Sequence, residues 1–343
     1  MPAKKYRATS QDPGPAASRS PRLAYAHALD AGQRTNPDVL LLLESHHGST
    51  AVKSALQSRE TVNRLAVAGR THIAMETPPH IARTVAGYES GSISRPDFVK
   101  ELRHWTIYTD PALLDRLPAG MRKPNAAEGG MLPAAARILS APAEEGERML
   151  NAMKAYDHLT GASRQITAGM SYLKSLPPQA RQELTDRLRR DSLDQAENFA
   201  DFYDYARGKG MQFFLGDERT RDKSISNRND GHFSELAKHA MRAGGGHNKI
   251  AFIIGIDHET TPSARKLSAL LKQDGHSVRS LAVFGNERNM REHFSGMKKD
   301  APDHAIEMAG GRLYVSHGGR MIVEAGAGGR KKTASLPGAG MRP

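Results

Sequence analysis

Val39-Leu40-Leu41-Leu42-Leu43-Glu44-Ser45-His46-His47-Gly48 is the stretch that decides the fold. Five consecutive apolar residues fit a strand buried on both faces, as in a parallel sheet. A carboxylate, a hydroxyl and two imidazoles follow where a strand gives way to a helix. In open α/β sheets, ligands bind at that carboxyl edge.

The chain outward from this stretch alternates strand and helix. A helix is expected over about Thr50 to Ala68, stopped by Gly69. Thr71 to Met75 reads as a second strand ending in Glu76, with Pro78 and Pro79 preventing its continuation. Together these make a βαβ unit and favour a parallel sheet. Further strands are expected at Met211 to Leu215, Lys249 to Ile256 and Val278 to Phe284. Leu313 to Val315 and Met321 to Val323 read as a terminal hairpin. Residues 97–200 look mostly helical, with Asp110–Arg148 interrupted by Pro and Gly. The expected fold is therefore α/β, with a mainly parallel central sheet, flanking helices and a helical insertion near residues 110–200.

The 343 residues contain no Cys, which excludes disulfides, a thiolate nucleophile and cysteine-ligated metal. No apolar run approaches the 18 or so residues of a membrane-spanning helix. The net charge of +12 is unevenly spread: +4 lies in residues 1–36, +4 in 326–343, and only +4 in 37–325. The two ends, rich in Ser, Pro, Gly and basic residues, read as a disordered leader and a disordered tail around one domain, 37–325. So mild a charge on the folded part gives no basis for specific nucleic-acid binding.

Polar clusters recur at the strand ends: Glu44 with His46 and His47, then Glu76, then Asp217 to Asp222, then Asp257-His258-Glu259. Parallel strands would gather them at one edge. Carboxylates, imidazoles and the Arg221 guanidinium are the groups that water activation requires. The same donors suit a divalent metal, so the site is open to a metal or to none. Each cluster also has a plainer reading. A Glu after a strand can satisfy helix N–H groups, a loop His is often merely solvated, and Arg221 with Asp222 can be a surface pair. Their recurrence at strand after strand favours acid–base work.

Glu44-x-x-His47-Gly48 after a strand resembles the opening motif of erythromycin esterases. Glu76, Arg221-Asp222-x-x-Ile225 and Gly255-x-x-His258 are similar to their later motifs, in the same order. The wider superfamily includes ChaN haem-binding proteins, Tiki metalloproteases, the TraB group and some type III effectors. The resemblance spans about residues 38–285. It departs at Leu43, where a Gly is usual, and at Ile225-Ser226-Asn227-Arg228. A ChaN- or Tiki-like alignment selects His46 rather than His47. The resemblance implies a hydrolase with Glu44, His47, Glu76, Arg221 and His258 at its centre, and His46, Asp217, Asp222 and Asp257 as further candidates. It implies a small-molecule or protein substrate. Together with the basic leader, it implies secretion by a bacterium into a host cell, where a host protein would be the partner; residence in the cytoplasm is the other expectation. The alternatives are a ligand- or haem-binding protein without turnover, and a host-interaction module of the same fold.

Overall fold

The computed structural model describes residues 21–77, 79–118, 120–155, 161–216, 231–243, 248–260, 266–286, 288–290, 293, 302–309, 311–317 and 320–323. The first half runs α1 (Pro21–Gln33), β1 (Val39–Glu44), α2 (Thr50–Leu56), α3 (Arg59–Val67), β2 (Arg70–Glu76), α4 (Pro79–Glu89) and α5 (Arg95–Arg103). The helical insertion follows as α6 (Pro111–Asp115), α7 (Ala126–Gly129), α8 (Leu132–Ser140), α9 (Ala143–Ala155), α10 (Ala162–Ser175) and α11 (Pro178–Gly208). The chain then returns to the sheet with β3 (Gln212–Gly216), α12 (Gly231–Ala243), β4 (Lys249–Gly255), α13 (Asp257–Thr260), α14 (Leu267–Gln273) and β5 (Val278–Phe284). It ends in β6 (His304–Glu307), β7 (Arg312–His317) and β8 (Arg320–Val323).

The strands form one sheet in the order β3-β2-β4-β1-β5-β6-β7-β8. β3 through β6 of that order are parallel, and β7 and β8 are added antiparallel at the edge. β1 lies between β4 and β5, with Glu44 level with Gly255 and Val283. Alternate side chains feed two core layers. Leu40 and Leu42 pack with α1, α3 and α11, while Val39, Leu41 and Leu43 pack with α12 and α14. The insertion has its own core of Leu132, Ala135, Ile166, Tyr172, Leu173, Leu184 and Leu188.

Three expectations need correction. The helix expected from Thr50 to Ala68 is two helices. Ser58 accepts from Thr61 N and starts a second helix, and the polar pair Gln57-Ser58 is the break. Gly69, at φ +74°, ends that second helix. Strand β6 carried no signal in sequence; with four residues it is too short for a periodicity to declare itself.

The third correction concerns the leader. Residues 21–33 are not a disordered segment: they form α1, which buries Ala24, Tyr25, Ala28 and Leu29 in the first core layer. Tyr25 Oη hydrogen-bonds Thr61 Oγ1 at 2.9 Å. The Ser- and Pro-rich composition of the first 20 residues masked the helical spacing 24, 25, 28, 29. Residues 1–20 and 326–343 lie outside the described residues.

Arg70 ties α1 to the sheet at the amino edge. Its guanidinium donates to Asp38 O, Ile250 O and Pro37 O at 3.2, 2.8 and 3.0 Å, and Nε donates to Gln33 Oε1 at 3.4 Å. Burial lowers its pKa to about 10, opposed by the charge of Asp38.

A chain beginning at residue 37 should therefore melt well below the full-length protein. Leu29, with 0% exposure, is the single-residue version of that test. Leu29→Ala should cost about 2–5 kcal/mol, as for other buried leucines, read by urea denaturation. An unchanged midpoint would place α1 outside the cooperative core.

Candidate functional site

Four of the residues singled out in the sequence meet at the carboxyl edge of the three central strands. Glu44, 8% exposed, closes β1. The chain then turns sharply: Ser49 N donates to His46 O at 3.0 Å, and Gly48 N donates to His46 Nδ1 at 3.0 Å. Gly48 has no room for a side chain. A Cβ there would collide with the Thr109 carbonyl oxygen and stand 2.8 Å from the Thr109 carbonyl carbon. The turn swings His47 back over the strand end, where its Nδ1 lies 3.4 Å from Glu44 Oε2, a long hydrogen bond.

Glu76 approaches from β2. Its Oε2 accepts from Gly255 N at 3.1 Å and meets His258 Nε2 at 3.0 Å. His258 is 1% exposed on α13, with its ring edge-on to Phe233 at 5.1 Å between centroids. Gly255 is the junction of the two pairs. A Cβ at that position would stand 3.1 Å from His47 Cε1, 3.2 Å from His47 Nε2 and 3.2 Å from Glu76 Oε2. The missing side chain is what lets an imidazole and a carboxylate crowd the end of β4.

The electrostatics follow from this packing. Burial opposes the Glu44 carboxylate, but Lys53 and the His47 hydrogen bond outweigh it and hold the carboxyl below its usual range. Burial would depress His47, yet the hydrogen bond to Glu44 and the charges of Glu44 and Glu76 raise it above an ordinary histidine. With Nδ1–H donated to Glu44, neutral His47 keeps its lone pair on Nε2, the atom over Gly255. His46 is pushed down, chiefly by burial and then by His47. Its Nδ1 accepts from the Gly48 backbone, so its role in the turn is structural. That separates the two imidazoles: His47 faces both carboxylates, and His46 shapes the loop that holds it.

The remaining candidates fall elsewhere. Asp257 is exposed at the start of α13, and its charge acts on His293. Its neighbour Glu259 accepts from Ser268 N at 2.8 Å and Ser268 Oγ at 2.5 Å, a tie to the first turn of α14. Asp217, Arg221 and Asp222 lie outside the described residues. The described chain leaves β3 at Gly216, whose carbonyl accepts from Thr77 N at 2.9 Å, directly after Glu76. No three His, Asp or Glu among the described residues converge as a metal shell. Glu76 Oε2 already serves His258 and Gly255, and Glu44 is shared by His47 and Lys53. Among the described residues these carboxylates are therefore engaged by neighbouring side chains and backbone.

Two contributors escaped the sequence. Lys53 of α2 places Nζ 3.6 Å from Glu44 Oε1. Tyr108, at the entry to the insertion, sets its ring 5.6 Å from that of His47. Neither belongs to a strand-end cluster. The one local hint is Ser49, the helix cap that fixes where Lys53 emerges.

No protein-family model, curated protein or solved structure matches this chain.

The pair should leave a signature in stability. Glu44, lowered on folding, contributes above its unfolded pKa and loses that contribution as pH falls through its folded one. His47, raised on folding, contributes fully below about 6.5, its unfolded value, and loses this as pH rises through its folded pKa. The melting-temperature advantage of wild type over E44Q should thus peak near pH 6. It should shrink on both sides, with a residue at high pH from Lys53. A difference flat from pH 4 to 9 would remove the ion pair.

Proposed function

We propose that this chain is a hydrolase-like enzyme in which His47 is the general base. The observation that carries the reading is the placement of His47 Nε2 and Glu76 Oε2 together beside Gly255, with His47 Nδ1 on Glu44. A base oriented by a buried carboxylate, beside a second carboxylate, is the arrangement for activating water.

In this reading a water at the β4 end donates a proton to His47 Nε2 as it attacks an acyl carbon. Glu44 stabilises the imidazolium that forms. Glu76, held by His258 and Gly255 N, fixes the water. The tetrahedral intermediate collapses, and His47 returns the proton to the leaving oxygen or nitrogen. His258 thus acts through Glu76. The order of the four short motifs, which resembles that of erythromycin esterases, supports the reading and assigns oxyanion stabilisation to Arg221. Substrates are esters or amides of a small molecule or a protein. Action as a secreted bacterial effector inside a host cell belongs to the same proposal and draws on the motif resemblance and the basic N-terminal segment. Among the described residues no helix is long and apolar enough to cross a membrane.

The test is hydrolysis of a panel of chromogenic esters, lactones and peptides by wild type, H47Q and E76Q. Both variants should fold, with stability within about 1 kcal/mol of wild type for the 43% exposed His47 side chain. Each should lose about 10²- to 10⁴-fold in kcat/KM. The wild-type rate should rise with pH through the raised pKa of His47. Full activity in folded H47Q, or no turnover of any panel member by wild type, overturns the proposal.

A further inference from the structure

Lys53 belongs to none of the polar clusters at the strand ends, yet it is the cation held against the candidate base's own carboxylate. The two oxygens of Glu44 are divided. Oε2 takes His47 Nδ1 at 3.4 Å, and Oε1 takes Lys53 Nζ at 3.6 Å. Glu44 Oε1 is buried and, among the described residues, has no hydrogen-bond partner. The ammonium, 25% exposed on its side chain, is held there through charge. Its position is built into the fold. Ser49 caps α2, accepting from Val52 N at 3.4 Å, and Lys53 N donates to Ser49 O at 2.9 Å. Thr50, the first residue of α2, is pinned from the other side by Asp191 of α11 at 2.8 Å.

We propose that Lys53 is a positioning residue for the hydrolytic site: its ammonium beside Glu44 Oε1 offsets part of that carboxylate's charge and so keeps it from over-stabilising the protonated form of His47. The inference rests on the reading of His47 as the base.

Glu44 comes from β1 and Glu76 from β2, and both favour the His47 imidazolium. Lys53 of α2 opposes it. His258 of α13 engages Glu76 rather than His47. His46 lies in the same turn and Tyr108 packs on the ring from the insertion. Asp110 acts on His46, and Asp191 is occupied by Thr50 and Gln195. Two carboxylates thus press His47 towards protonation and one described ammonium presses against them. A general base that is mostly protonated at neutral pH is a poor base, because its efficiency depends on the unprotonated fraction. Lys53 restores that fraction. It does so through Glu44 and across space, without touching substrate.

The experiment is an NMR titration of the His47 ring protons in wild type, K53M and K53Q, with the His47 resonance assigned by its loss in H47Q. The titration midpoint of His47 should rise by about half a pH unit or more in K53M and K53Q, from loss of one nearby positive charge. K53R should restore it. The acid limb of the activity profile should move up by the same amount. K53Q serves as the reporter if K53M does not fold. A midpoint that stays in place or falls in folded variants overturns the role of Lys53. Because the titration needs no substrate, it decides the point even if hydrolysis fails its own test. Active H47Q with a shifted midpoint would reject the base and keep the Lys53–Glu44–His47 coupling.

Discussion

Everything in this molecule hangs on β1 being hidden on both faces and both edges at once. Val39 through Leu43 are all at 0% exposure. Each lies between a residue of β4 and one of β5. Burying five large side chains is favourable by roughly 1.5–3 kcal/mol each relative to exposure. The backbone polar groups are satisfied by two neighbouring strands, so no desolvation cost is left over. Because a parallel strand in this position has layers above and below, it fixes where α1, α3 and α11 sit on one side and α12 and α14 on the other. It also fixes where the chain must escape. Glu44 is the first residue that can reach the edge of the sheet, and it is there that the chemistry begins.

Edge position alone does not make a site. Two close approaches do. Gly48 lets the turn tuck beneath Thr109, and Gly255 leaves room for His47 and Glu76. Arg70, on the far edge, binds the carbonyls of Pro37, Asp38 and Ile250 where β1 and β4 begin. Arg137 does the same in the insertion, donating from Nη2 to Arg103 O and Thr106 O at 2.9 and 3.2 Å. Both arginines use a fork of donors to gather backbone oxygens where a helix ends or a strand begins. The segment from Arg103 to Asp110 is thereby tied down, and it is this segment that presents Tyr108 and Thr109 to the His47 loop.

The two carboxylate–imidazole pairs differ in character. Glu76 and His258 are enclosed, and they also engage a backbone N–H, which suits a fixed support. Glu44 and His47 are joined by a longer contact, with His47 43% exposed. A partly exposed imidazole over a buried carboxylate can exchange protons with solvent while keeping its orientation. That division of labour gives the proposed water-activating role to His47 and the positioning role to His258.

The sequence by itself determined the strands of the central sheet and the residues that end them. A run such as Val39 to Leu43 is stable only when buried, and its period and length leave few alternatives. Glu44, His47, Glu76 and His258 were legible for the same reason: each stands where a strand of clear pattern stops. The sequence did not reveal α1, because composition averaged over 1–36 concealed a short helical spacing. Nor did it reveal β6, which exists only because β5 and β7 offer it hydrogen-bonding edges. Tertiary structure alone set His47 against Glu44 and His46 against the Gly48 backbone, since adjacent residues in a turn differ only in where the turn aims them. It alone recruited Lys53 and Tyr108, from a helix face and an insertion entry that carry no motif. Side chains distant in sequence meet through the packing of whole elements, and no local pattern encodes that.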